Sequence, residues 1–206
     1  MKISERTYNS SEVIAFKSTK EEFGGLSNMA PGYSLRVNDV IIPSAEALYQ
    51  ACRFPLFPAI QEEIIVQNSP MTAKMVSRKY HGHTRQDWEE VKYDIMYWVL
   101  KVKLSQNYEK FSNLLKKTGN APIVELSNKD KDWAVVPEGP NTLRGKNALG
   151  RLLMQLRSEF VHHDNSNDCI PALNINGFLL YGSEIEMVCN PEIEYEKEML
   201  FDLDYA

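Results

Sequence analysis

The spacing of apolar and polar positions divides the chain into short elements. Residues 13–16 form a brief apolar run that predicts a strand. Phe23-Gly24-Gly25-Leu26-Ser27-Asn28 is a turn, because paired glycines break any regular element. Residues 33–37 and 40–42 flank Asn38-Asp39 and predict a hairpin. Pro43-Ser44 opens a helix with Ser44 as N-cap, running to about Phe54, where Pro55 stops it. A second short helix follows Pro58 through Ile65, and a third spans residues 70–80 with Pro70 in its first turn. The longest helical pattern covers residues 85–105, where Trp88, Val91, Ile95, Val99 and Val102 recur at spacings of three and four. A further helix spans residues 108–117 and ends at Thr118-Gly119-Asn120; residues 122–126 read as a strand. Residues 128–145 have few periodic hydrophobics and predict one long loop, of the length that usually carries function or disorder. Residues 147–160 form an amphipathic helix with Leu149, Leu152, Leu153 and Leu156 inward. Residues 172–180 and 184–188 predict two short strands around Tyr181-Gly182-Ser183. With no βαβ alternation, the fold class is α+β and mainly helical.

Composition adds a boundary. The 206 residues are 43% hydrophobic and 25% charged, which is ordinary for a globular chain of about one domain. The net charge of −5 is unevenly placed. Residues 184–206 hold eight acids and one base, which leaves 20 acids, 22 bases and a net of +2 in residues 1–183. A slightly basic body therefore precedes an acidic tail, and the body suits a phosphate-bearing ligand better than the total suggests. The polar N-terminus is no secretory signal, and the most apolar window, residues 95–100, is far short of the roughly 20 residues that span a bilayer. Cys52, Cys169 and Cys189 are odd in number and widely spaced, so no disulfide is expected and a reducing cytoplasm is the default location. Neither histidine pair has the spacing or neighbours of a metal site, and none is expected.

Four places carry chemistry-bearing residues, each with a plain alternative. Glu46, Gln50 and Arg53 fall on one stripe of the first helix, either to hold a polyhydroxylated or phosphorylated ligand or as a solvated face. Asn128-Lys129-Asp130-Lys131-Asp132-Trp133 sets a tryptophan beside carboxylates, for stacking and acid–base work or as an exposed turn pinned by Trp133. Arg144-Gly145-Lys146-Asn147 leads into the last long helix, where free N–H groups and the helix dipole favour an anion unless Asn147 only caps. Ser27-Asn28 presents short polar side chains to a ligand or to its own turn. Trp88 starts the apolar face of the longest helix and reads first as core.

Each signal is weak alone, but their order is not. The blocks run from Phe23-Gly-Gly-Leu-Ser-Asn28 through Ser44-Ala-Glu46-Ala-Leu-Tyr-Gln50-Ala-Cys-Arg53-Phe54, Ser69-Pro70 with Lys74, and Trp88 with Met96. They continue with Val124-Glu125, Asp130-Lys-Asp-Trp133 and Gly145-Lys-Asn147-Ala-Leu149-Gly150-Arg-Leu-Leu-Met154. Over about residues 12–160 this order resembles the NADAR superfamily of N-glycosidases. The resemblance implies a compact, mainly helical domain with small β elements in residues 1–160; residues 161–206 have no counterpart in it and are expected to form an acidic extension with a short strand pair. It implies hydrolysis of a ribosyl C–N bond, without a cofactor, in a small ribosyl phosphate of the riboflavin pathway or in ADP-ribosylated guanine of nucleic acid. The other class is a module that binds ADP-ribose or NAD without cleaving it; the retained carboxylates favour the enzyme. By motif position Glu46 and Asp130 are the catalytic acids, and Trp88, Trp133 and Asn28 belong to the ligand site; the helix stripe adds Gln50, and Arg53, Lys146 and Asn147 are expected to hold phosphate. The chain departs from the family pattern at Ala47 (usually His), Arg53 (usually Lys) and Ala134 (usually Gly).

Overall fold

The computed structural model describes residues 3–162 and 169–190. Its helices begin where serine and proline mark a start. Ser44 Oγ accepts from Ala47 N at 3.2 Å and opens α1 (Ala45–Ala51). Pro58 lies in the first turn of α2 (Pro58–Ile65). Ser69 Oγ accepts from Thr72 N at 3.3 Å, ahead of Pro70 in α3 (Pro70–Lys79). The central helix α4 (Trp88–Gln106) is buried almost all round, with Ile95, Trp98, Val99, Leu100 and Val102 in the core. Helices α5 (Tyr108–Lys117) and α6 (Ala148–His162) pack against it. The α+β, mainly helical architecture is as the apolar spacing predicts.

The strands are short. β1 (Arg6–Asn9), β7 (Thr142–Gly145) and β6 (Val136–Pro137) form an antiparallel sheet in the order β1-β7-β6. Residues 128–145 are thus not one loop. Strands of two and four residues are too short to show a period of their own, and only their pairing with each other and with residues 6–9 defines them. β2 (Ile14–Phe16) lies parallel to β5 (Ile123–Glu125), with Phe16 opposite Glu125. β3 (Leu35–Val37) and β4 (Val40–Ile42) form the expected hairpin, its turn made by Asn38 at φ 47° and Asp39 at φ 60°.

Residues 169–190 pack into the same core through Ile170, Phe178, Leu180, Ile185 and Val188. Trp98 Nε1 donates to Pro171 O at 3.0 Å and meets Phe178 edge-on at 4.9 Å. The predicted strands here shrink to β8 (Leu179–Leu180) and β9 (Ser183–Glu184), plus a single Ile170–Val188 bridge. That bridge sets positions 169 and 189 side by side, and Cys169 and Cys189 form a disulfide. The cysteine expectation is corrected: twenty residues of separation hid a fold-back, and the count gives no argument for a reducing compartment. Of the acidic tail, residues 191–206 lie outside the described residues. No helix among those described is long and apolar enough to cross a membrane.

Candidate active site

Helix α1 ends at Ala51, short of the expected Phe54, and is buried at every position; Arg53 beyond it is half-buried, so the polar stripe is not a solvated face. Glu46 and Gln50 are each 4% exposed. Gln50 Nε2 donates to Glu46 Oε1 at 2.9 Å, while Gln50 Oε1 accepts from Ser77 Oγ at 2.6 Å and from Arg53 Nη1 at 3.4 Å. Lys74 Nζ stands 3.8 Å from Glu46 Oε1. A buried carboxylate held by an amide and faced by an ammonium is expensive to bury for packing alone.

These residues line a cavity of about 490 Å³ closed on other sides by aromatic rings. Trp88 carries the Arg53 guanidinium 4.8 Å above its ring and packs on Tyr49 at 5.0 Å. Tyr49 in turn meets Trp133 edge-on at 5.5 Å, and Trp133 meets Tyr93 at 5.2 Å. Arg53, Lys74, Arg78 and Lys92 bring positive charge to the walls; Glu46, Glu89 and Asp130 bring negative charge, and Glu125 adds a fourth carboxyl.

Two polar atoms in the walls are orphaned. Asn28 is 3% exposed; its Nδ2 donates to Met96 Sδ at 2.6 Å, but its Oδ1 has no partner. Arg53 Nε is likewise buried without an acceptor. An unpaired buried acceptor and an unpaired buried donor in one cavity are the groups a polar ligand satisfies.

The tryptophan loop divides its two aspartates. Asp130 lines the cavity, and its Oδ1 accepts from the backbone N–H groups of Asp132 at 2.9 Å and Trp133 at 3.0 Å, which fixes the turn. Asp132 instead receives Lys146 Nζ at 2.6 Å, Tyr93 Oη at 2.6 Å and Lys92 Nζ at 2.9 Å. Burial raises its carboxyl, but these three donors outweigh that and bring it down to about 2.

Seven of the nine expected site residues therefore meet in the cavity: Asn28, Glu46, Gln50, Arg53, Trp88, Asp130 and Trp133. Lys146 and Asn147 do not line it. Lys146 serves Asp132, and Asn147 is fully buried at φ 51°, its Nδ2 donating to Ile123 O at 2.8 Å and its Oδ1 accepting from Glu125 N at 3.3 Å. The expected anion site at the start of α6 is also filled from within the chain. The N–H groups of Lys146, Asn147, Ala148 and Leu149 donate to the carbonyls of Lys131, Ala134, Asp132 and Trp133.

Sequence reasoning gave no role to Lys74, Arg78, Tyr49 or Glu125, all of which line the cavity. Lys74 and Arg78 had a signal, a pair of bases at i and i+4 on a proline-led helix. Glu125 had only its place in the Val124-Glu125 block, as a lone acid at the end of an apolar strand. Burial pushes its carboxyl up to about 7; Lys74 opposes this, and Glu46 and Asp130 add to it. Among the described residues, no group of three or more histidines, cysteines and carboxylates is arranged to hold a metal ion.

The NADAR domain family model matches residues 15–161. The chain belongs to the NADAR family. Its NADAR domain is 36% identical over 147 residues to N-glycosidase YbiA of Shigella boydii serotype 4, an alignment covering 71% of this chain and 88% of that protein. It is also 36% identical over 163 residues to the chloroplastic riboflavin biosynthesis protein PYRR of Zea mays, covering 72% of this chain. The match spans 25% of the maize protein's length. The NMR structure of E. coli YbiA superposes with a TM-score of 0.63 at 34% identity, covering 73% of this chain and 85% of that one. The matched NADAR segment contains every cavity residue named above.

Proposed function

We propose that this NADAR protein is an N-glycosidase that hydrolyses the C–N bond between a ribosyl phosphate and a nitrogen base. The observation that carries the reading is buried Glu46 in a cavity that joins an aromatic wall to a basic one. The cavity's size falls within the roughly 300–1,000 Å³ of small-ligand pockets. Trp88, Tyr49 and Trp133 offer flat apolar surface to a base, and stacking contributes about 1–3 kcal/mol per base. Arg53, fixed by Gln50 through Nη1, keeps Nε for a phosphate oxygen, with Lys74 and Arg78 adding charge. Asn28 Oδ1 accepts from a sugar hydroxyl.

Cleavage of such a bond passes through an oxocarbenium-like state, which needs negative charge near the sugar and a base for the water. Glu46 Oε1 is held by Gln50, and its Oε2 takes no hydrogen bond from any described residue, so that oxygen is the one to draw a proton from water. Asp130, its Oδ1 committed to the turn, supplies negative charge beside the sugar.

The test is a panel of an aminopyrimidine ribosyl phosphate, guanine-linked ADP-ribose and NAD, with release of base measured for each. Glu46→Gln lowers turnover of the active substrate by about 10²–10⁴-fold while the protein stays folded. Near-native turnover in that variant overturns the assignment. Calorimetric binding without release of base by the wild type points instead to a non-catalytic module.

A further inference from the structure

Four carboxyl groups line the cavity; Glu89 is paired with Lys92 at 2.6 Å, and the other three differ in their surroundings. Glu46 has Gln50 and Lys74 at its Oε1. Asp130 has two backbone donors at its Oδ1. Glu125 has neither a hydrogen bond nor an ion pair to its carboxyl from any described residue. Its backbone is nonetheless clamped, with N donating to Asn147 Oδ1 at 3.3 Å and O accepting from Val135 N at 2.8 Å. The elements around it are accounted for. Strand β2 sets Phe16 opposite, with Lys17 beyond it bonded to Asn128; α6 contributes the uncharged Asn147. Lys74 on α3 opposes the charges of Glu46 on α1 and Asp130 in the following loop. A fixed carboxyl with no donors of its own, among two other acids, keeps its proton near neutral pH.

We infer that Glu125 is the general acid that protonates the departing nitrogen, an assignment that rests on the N-glycosidase reading above. The C1′–N bond breaks with its electron pair going to nitrogen, and the Glu125 carboxyl gives that nitrogen its proton. Water loses a proton to Glu46 and its oxygen bonds to C1′. The products are the free base and the ribosyl hydroxyl, with the proton on Glu46 and the charge on Glu125 exchanged through solvent afterwards.

The leaving group separates this role from a structural one. An amine or guanine nitrogen needs a proton to depart, whereas the nicotinamide of NAD leaves as a neutral ring without one. Glu125→Gln is expected to lower kcat/KM on the amine- or guanine-linked substrate about 10²–10⁴-fold, and by at least about tenfold more than on NAD. For the wild type, kcat/KM on the amine- or guanine-linked substrate is expected to fall as pH rises through about 7, and this limb is absent in the variant. A loss equal for both leaving groups, or an unchanged pH limb, overturns the inference. Turnover of no substrate by the wild type removes the N-glycosidase reading itself. Infrared titration of the free protein then decides whether the carboxyl behaves as argued: a band titrating near 7 in the wild type and missing from Glu125→Gln supports it, and its absence from the wild type overturns it.

Discussion

Asp132 is held by three donors and has a carboxyl brought down to about 2, against an ordinary 3.8. Its folded-state charge is favoured, so its contribution to stability is present above the ordinary carboxylate range and is lost as pH falls from about 4 towards 2. Acid unfolding of Asp132→Asn should therefore show a flatter limb over that range than the wild type; identical limbs would show that the three donors add nothing. The neighbouring Asp130 illustrates why such distinctions were not legible in local spacing. By spacing alone two aspartates at i and i+2 read alike; motif position picked out Asp130, and the turn that Asp130 itself builds is the physical reason that it faces the cavity while Asp132 joins Lys92, Lys146 and Tyr93. Asn147 carries a second such lesson. Its place after Gly-Lys suggested an anion site, whereas an asparagine at positive φ can instead grip two backbone groups of a strand.

The helices were legible because each has a local cause: a serine cap, a proline in the first turn, or a long apolar period. The sheet β1-β7-β6 was not, because strands of two to four residues are too short to show a period and have no signature apart from their partners. The contact between α6 and β5 is of the same kind. Gly150 lies within that helix, and a Cβ there would collide with Ile123 O and stand 2.5 Å from Asn147 Oδ1. Glycine inside a helix ordinarily costs roughly 0.5–1 kcal/mol relative to alanine, so the exposed-helix rule makes Gly150→Ala stabilising. The close approach reverses the sign. Urea unfolding should show a net loss of about 1–3 kcal/mol, and a gain would mean that helix and strand can separate at no cost.

At the scale of the molecule, residues 169–190 belong to the core on which the cavity rests, and the disulfide closes them into a loop over Trp98. For a loop of this length the chain-entropy model gives about 3 kcal/mol. Replacing Cys169 and Cys189 together by serine, or reducing the wild type, should lower the thermal midpoint accordingly. Equal midpoints would mean that Phe178, Leu180 and Ile185 hold the segment without it. The wall that carries Asp130 and Trp133 is fastened differently, by four backbone hydrogen bonds between residues 131–134 and residues 146–149. This has a consequence for how a ligand is received. The backbone of this wall is tied down as the chain folds, so a ligand need not order it on arrival, and this part of the site adds no ordering cost to the affinity.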